Sequence, residues 1–540
     1  MRLSFWPVVG AVSLLFSACA PQVATPPQAP SAAPAPSNWK PVEPSKQKVS
    51  LVPEPAGVPA PEAFCQSFAA HAAAVCANGA APREALVAAL DVSDAALRDD
   101  ALSCLEQAPE FPPGLVRALR AELAPIGCAD ALALPFLDPR RPGLDRRIED
   151  TLIALAAAGR LSRVAAQAPA LGAPFDKQHF NEFFQSTLKP WIIGQAAAIH
   201  DLSALGPSLT PYAKGVLAIE AGLADMRFVS IARAVALPKE MSDDDAVREA
   251  YYAALDEALE PRKARGRDAA LVGLLELAKE GVLVDPRVER ARKLLSEVYS
   301  GRRIDALDQL LLPELPPSPD ASLEQKLAAR LPTFYAGFLL ATVSTDAPLL
   351  RALLERGLPR SIAQRLNPSQ LDDAAKALLV RALIERGRRY LRAEDFASAV
   401  ELSSALSKPT PEVELYRALG SALKNGPRDA SDVLLHGPLL PSGTGQVTEL
   451  DQLASQKNES APLAAFDAAY LLSLVPPQND PKFWEDLSKR FDKAAHALRA
   501  PEQKKLAKDS SRAAKQTAKA LRDNDNAKSQ RTPSTNAKAP

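Results

Sequence analysis

Residues 380–413 read VRALIERGRRYLRAEDFASAVELSSALSKPTPEV, and this stretch decides the fold. Leucine and alanine recur at three- and four-residue spacing on either side of Gly387, and no part alternates with period two. That is the signature of amphipathic helices, not strands. The same form recurs along the chain: a Leu/Ala-rich helix, a glycine, then a second helix. Instances are Leu155–Gly159–Leu161, Leu277–Gly281–Val288, Leu295–Gly301–Ile304, Leu354–Gly357–Ile362, Ile384–Gly387–Phe396 and Leu423–Gly426–Val433. Glycine suits the left-handed residue that closes a helix, so each is expected to mark a helix–turn–helix unit. One unit cannot bury its own apolar face, and neighbours must stack. The apolar run Phe334–Val343 is too short to span a bilayer and is expected as a buried helix.

With Gly387 at position eight, residues 380–413 resemble a tetratricopeptide repeat. Leu383, Tyr390, Phe396, Ala399 and Pro411 fall at positions four, eleven, seventeen, twenty and thirty-two. Arg386, Ser403 and Leu406 depart from the pattern. In that family the glycine lies inside the first helix, so Gly387 is there a packing residue and not a stop. The next unit begins with Tyr416, Leu419 and Gly420 and then shortens, so the resemblance covers roughly fifty residues. It implies an all-α, right-handed superhelical solenoid whose first helices line a concave groove. Carried over position by position, that groove presents Arg381, Ile384, Arg388 and Leu391, then Glu414, Arg417, Ser421 and Lys424. Its four cations, Arg381, Arg388, Arg417 and Lys424, imply a surface suited to carboxylates, such as an acidic peptide or a chain end.

The N-terminus has the form of an export signal over residues 1–18: Met1-Arg2, an apolar run from Leu3 to Phe16, then Ser17-Ala18. Leu15-Phe16-Ser17-Ala18-Cys19 resembles a bacterial lipobox, which implies acylation of Cys19. The lipobox leucine is replaced by Phe16. Cleavage after Ala20 is the rival reading, and Pro21 disfavours it. Ala20 in place of aspartate implies sorting to the outer membrane, on its periplasmic face. Residues 19–61 form the lipidated cysteine and a tether. Twelve prolines from Pro21 to Pro61 point to an unfolded segment. At ~3.1 Å per residue, its forty or so residues reach on the order of 120 Å.

Beyond the tether, residues 62–136 read as a cysteine-containing helical cap, 137–500 as the repeat solenoid, and 501–540 as a basic helix and disordered tail. Residues 501–540 hold ten Lys/Arg against four Asp/Glu in a chain whose net charge is zero. Lys508, Arg512, Lys515, Lys519 and Arg522 share one helix face. That face is either a solvated surface or a contact for an anionic one, such as lipid head groups. Nothing suggests nucleic acid as a partner.

The cap holds Cys65, Cys76, Cys104 and Cys128, and an exported chain meets oxidising conditions. A helix over Pro61–Ala77 would separate Cys65 from Cys76 by ~16 Å, too far for a bridge. Up-and-down packing of the following helices favours Cys65–Cys128 with Cys76–Cys104 over the remaining pairing. Free buried thiols and a zinc site are the alternatives, and the lack of a C-x-x-C pair weighs against zinc.

Little points to catalysis. His71, His179, His200, His436 and His496 are scattered singly, and no nucleophile elbow, P-loop or dinucleotide glycine pattern appears. No catalytic residue, metal or cofactor is expected. Glu459-Ser460 resembles the general-acid dipeptide of lytic transglycosylases, which also carry a helical superhelix, but that family's downstream glycine-rich segment is missing. The expectation is a lipid-anchored periplasmic scaffold or adaptor whose groove binds envelope proteins or peptides. The alternatives are a positioning cofactor for a cell-wall synthesis or secretion complex, and a lytic transglycosylase-like enzyme.

Overall fold

The computed structural model describes residues 51–70, 81–137, 143–299, 303–315, 322–436, 439–440, 445–475 and 478–531. Among them the regular structure is all helical, apart from one isolated bridge between Val282 and Gly357. Helix starts follow local chemistry. The side chains of Asp145, Asp244, Asp285, Asp346, Asp372 and Asp480 each accept a backbone N–H of the helix they open. Proline stands in the first turn of the helices that open at residues 211, 286, 411 and 481, where no N–H partner is needed.

The cysteine-containing region begins with α1 (Cys65–Ala70), followed by α2 (Pro82–Leu90), α3 (Leu115–Leu123) and α4 (Ala129–Leu137). Cys65 and Cys128 are joined by a disulfide, with α-carbons 5.0 Å apart, as the packing argument favours. Cys104 is also disulfide-bonded; Cys76 lies outside the described residues. Beside the bridge, the buried Arg120 donates to Asp99 at 2.7 Å and to the carbonyl of Phe68 at 2.9 Å.

Helix α5 (Arg146–Arg163) corrects one glycine reading, because it runs straight through Gly159. A Cβ there would lie 3.0 Å from the Asp130 nitrogen, so this glycine admits a close neighbour and does not stop the helix. After α6 (Lys189–Ser203) come α7 (Pro211–Arg233) and α8 (Asp245–Lys279), which lie antiparallel in close contact. Gly215 and Gly222 of α7 face Gly273 and Gly266 of α8. An added Cβ at Gly222 would sit 2.6 Å from the Gly266 carbonyl oxygen, so the seam depends on missing side chains. Buried Asp225 closes one end of the seam, accepting from Arg265 at 2.7 Å and Arg262 at 3.2 Å. Helix α8 ends at Gly281, whose φ of +82° is the expected left-handed stop.

Helix α9 (Pro286–Val298) docks the cysteine-containing region onto this body. Arg287 is buried between Asp285, at 2.8 Å, and Glu122 of α3. Burial pushes the Glu122 carboxyl upward against the pull of Arg287. A second junction is remote in sequence. Arg330, on α10 (Leu323–Arg330), pairs with Asp91 just after α2, and Arg83 donates to Leu339 at the end of α11 (Thr333–Leu339). Arg83, Asp91 and Glu122 therefore pack the cysteine-containing region against the middle of the chain as well as against its neighbours. A linear array in which each repeat touches only the next does not produce such contacts. The run Phe334–Val343 contributes α11, which buries Tyr335, Ala336 and Leu339.

The quoted stretch forms α12 (Asp373–Tyr390), α13 (Ala393–Ser404) and α14 (Pro411–Leu423), each packed on the next. Gly387 lies inside α12, where a Cβ would meet the Phe396 ring at 2.9 Å. Gly420 lies inside α14 against the Phe396 carbonyl. Arg386, the departure at position seven, donates at 2.7 Å to buried Asp395. The chain closes with α15 (Ala461–Ser473), α16 (Pro481–Ala497) and α17 (Pro501–Arg531). Helices α16 and α17 form a hairpin whose seam buries Ala507, Ala514, Ala518 and a 2.9 Å bond between the Ser488 and Ser511 hydroxyls. Helix α17 continues to Arg531. Among the described residues no helix is long and apolar enough to cross a membrane.

Two segments outside the α-helices are clamped to helices. Leu51–Pro59, expected to be part of the unfolded tether, is packed: Val52 is fully buried, and Arg160 of α5 donates to the carbonyls of Val52 (3.0 Å) and Pro53. Arg163 takes the Pro59 carbonyl at 2.8 Å, and Gln195 of α6 takes that of Gly57 at 2.9 Å. The tether boundary therefore falls before residue 51. Proline-rich composition disfavours regular structure but does not prevent docking when side chains from elsewhere satisfy the carbonyls. The second segment, Ala306–Pro313, occupies the candidate site.

Candidate peptide-binding groove

Helix α12 supplies Arg381 and Arg388 two turns apart on one face, and α15 supplies Asp467 and Tyr470. Between them runs Ala306–Pro313, a short 3-10 turn followed by extended chain from Leu310. Tyr470 donates its hydroxyl to the Ala306 carbonyl. Arg388 donates to the Leu310 carbonyl at 3.1 Å, and Arg381 donates to the Pro313 carbonyl. Asp467 accepts the Leu311 N–H at 2.8 Å. Every one of these bonds addresses the main chain of the segment. Ala306, Leu307 and Leu310 are buried beneath it, while Leu311, Leu312 and Pro313 are half-buried.

Glu385 organises the two guanidinium groups, pairing with Arg388 at 2.7 Å and Arg381 at 3.4 Å. Arg381 also donates to the Tyr416 hydroxyl of α14 at 3.0 Å. Burial pushes that phenol up to about 12. Asp467 is fully buried, and burial drives its carboxyl well above the usual carboxylate range, opposed by the Leu311 N–H and nearby Arg388. Its second oxygen, Oδ2, has no hydrogen-bond partner.

The four cations expected to line one groove thus divide into two pairs. Arg381 and Arg388 are half-buried and committed to Glu385 and to the chain's own carbonyls. Arg417 and Lys424 lie exposed on and just after α14. The repeat positions grouped them; the carbonyls of Leu310 and Pro313, about seventy residues upstream, separate them. Asp467 and Tyr470 escaped the sequence reading because each looks like an ordinary packed position, and Tyr416 entered it only as a repeat position. An aspartate in the middle of the apolar run of α15 was the available signal for Asp467.

Other expected sites are also located. Glu459 sits exposed on the turn before α15, and its neighbour Ser460 is buried. A general acid with a raised pKa needs a cleft, and this position has none of that enclosure. Among the described residues no group of three or more His, Cys, Asp or Glu is placed to hold a metal ion. Lys508, Arg512, Lys515, Lys519 and Arg522 all lie exposed on α17, but three are internally paired: Arg512 with Asp509, Lys515 with Asp492 and Arg522 with Glu485. A cleft of about 760 Å³ runs along α7 and α8. Its rim charges are likewise paired, Lys214 with Glu276 and Arg262 and Arg265 with Asp225. Cys19 and His71 lie outside the described residues.

Comparison with protein-family models, curated proteins and solved structures finds no match.

Proposed function

We propose that this chain is an exported, Cys19-lipidated helical scaffold or adaptor of the outer-membrane periplasmic face, which binds extended segments of envelope proteins. The observation that carries the binding reading is the clamp on Ala306–Pro313. Helices α12 and α15 grip an extended polypeptide through its main-chain groups, which any sequence of suitable shape supplies. The tetratricopeptide-like form of residues 380–413 supports a repeat-built groove on this side of the molecule. The Cys65–Cys128 disulfide supports an oxidising compartment. The lipobox-like Leu15–Cys19 supports the anchor. With Leu51–Pro59 docked, about thirty residues remain between Cys19 and the body. At ~3.1 Å per residue that tether reaches on the order of 90 Å. The exposed cations Arg417 and Lys424 favour a partner with acidic residues flanking the gripped segment, and a positioning role within a wall-synthesis or secretion complex needs the same parts.

Two measurements test this. Cys19→Ser is expected to move the protein out of the membrane fraction; a variant that still pellets at wild-type amounts after a high-salt wash contradicts the anchor. A photo-crosslinking residue in place of Arg417, activated in living cells, is expected to give a discrete heavier adduct with another envelope protein. Crosslinks confined to this chain contradict the adaptor reading.

A further inference from the structure

The clamp contains a mismatch. Burying a carboxyl group is costly unless its oxygens are hydrogen-bonded. Asp467 has no exposed surface, yet only Oδ1 is used, by the Leu311 N–H. Oδ2 has no partner. The segment in the groove is short of main-chain donors, because residue 313 is proline and carries no N–H. Leu311, Leu312 and Pro313 keep part of their surface in solvent, and Glu314 is exposed. Leu51–Pro59 is at least as exposed, with only Val52 buried, but it differs in its hydrogen bonding. There Gln195 uses both ends of its amide, donating to Gly57 and accepting from the Ala165 N–H at 2.7 Å.

We propose that the face of α12 and α15 bearing Arg381, Arg388 and Asp467 is a docking site for an extended, leucine-rich segment of a partner protein, and that Ala306–Pro313 is its in-chain occupant. This rests on the polypeptide-binding reading above and specifies its site. The preferred ligand places apolar side chains where Leu310 and Leu312 lie. It has a residue other than proline in the place of Pro313, so that a further main-chain group reaches Asp467 Oδ2. The in-chain segment is always present at high effective concentration and lowers the apparent affinity for any rival by the fraction of time the groove is vacant. Binding is therefore selective for segments that satisfy Asp467 better than the chain's own.

The probe is a fluorescein-labelled synthetic peptide copying residues 305–315 with alanine in place of the proline, measured by anisotropy against the full oxidised chain. Leu312→Glu, at a half-buried position, loosens the in-chain segment while leaving the groove residues in place. This variant is expected to bind the probe at least ~10-fold tighter than the wild-type chain, since the competing occupant is weakened. The parent proline peptide is expected to bind it several-fold more weakly than the alanine probe. Adding Asp467→Leu to the variant should abolish the difference between the two peptides. No saturable binding to a Leu312→Glu chain with a wild-type circular dichroism spectrum overturns the proposal. So does a variant that sediments as a dimer which excess probe does not dissociate, because the occupant is then a second copy. If Leu312→Glu does not fold, the wild-type chain is irradiated with a probe carrying a photo-reactive leucine in the place of Leu311. Adducts on residues 461–473 support the site, and adducts elsewhere overturn it. Failure of the probe while the Arg417 crosslink to an envelope protein persists removes this site and leaves the adaptor reading; loss of both removes both.

Discussion

Leu51–Pro59 and Ala306–Pro313 are both held through their main-chain groups: guanidinium and amide groups take carbonyls of the first, while guanidinium groups, a phenol and a carboxyl hold the second. They differ in completeness. Around the first, Arg160 and Arg163 are both balanced by Asp130, Gln195 is satisfied at both ends, and the Cys65–Cys128 disulfide lies a few residues on. Around the second, a buried carboxyl oxygen is unpaired and no covalent staple is found among the described residues. Side-chain exposure does not separate them, since only Val52 of the first segment is buried. The contrast separates a segment built into the body from one seated in a groove. Guanidinium donors serve both, and the unpaired carboxyl oxygen distinguishes them.

The largest expected loss comes from the first segment's surroundings. Cys65→Ala with Cys128→Ala opens a loop with a sequence separation of 63 and is expected to cost about 4 kcal/mol of stability on the loop-entropy account. Urea unfolding of the oxidised proteins measures it. Arg160→Ala comes next. It strands the carbonyls of Val52 and Pro53 in a buried setting and should cost about 3 kcal/mol, with new proteolytic cleavage before α1. Arg388→Met acts on the second segment. Its side chain is 22% exposed, so the loss should be smaller, about 1.5 kcal/mol. Proteolytic sensitivity should then appear near residue 310 and not near residue 52.

The smallest effect concerns pH. The folded-state pKa of Asp467 is raised by burial, so the unfolded chain releases this proton first. Its contribution is fully favourable below the unfolded value of about 3.9 and declines as pH rises towards the folded value. Asp467→Asn removes that dependence. Wild type and variant should have similar urea midpoints near pH 4, with wild type falling behind as pH approaches 8. Parallel profiles would show that the carboxyl gains compensation the bonding pattern does not show.

Much of the helical framework was legible in the sequence, and the reasons are local. Aspartate caps and first-turn prolines announce helix starts, Gly281 announces a stop, and Gly387 with Phe396 announces a close helix pair. The Cys65–Cys128 bridge followed from helix rise and alternating direction. The α7–α8 seam was not legible, because glycines seven residues apart look like helix-weakening positions until a partner helix supplies the facing glycines. Neither were the two clamped segments: the first was expected in the unfolded tether, and the second in a helix beginning near Ile304, where the structure has a short 3-10 turn and then extended chain. Arg160 lies more than a hundred residues from Val52, and Arg388 lies 78 from Leu310. A charge pattern identifies such arginines as cations but not as ligands for the chain's own carbonyls. The four cations expected in one groove therefore differ in setting: Arg417 and Lys424 are exposed, while Arg381 and Arg388 are engaged by the chain's own carbonyls.

The central claim is that Ala306–Pro313 leaves its groove without the protein unfolding. Native-state hydrogen exchange tests this directly through three amides, since Asp308 and Leu310 donate within the segment to Asp305 and Leu307, and Leu311 donates to Asp467. The account predicts that these amides exchange through a local opening, with little denaturant dependence, far faster than the interior amides of α7 and α8. Exchange of all three at the rate of global unfolding, with the same denaturant slope as the α7–α8 core, would contradict it and make the segment a fixed part of the body.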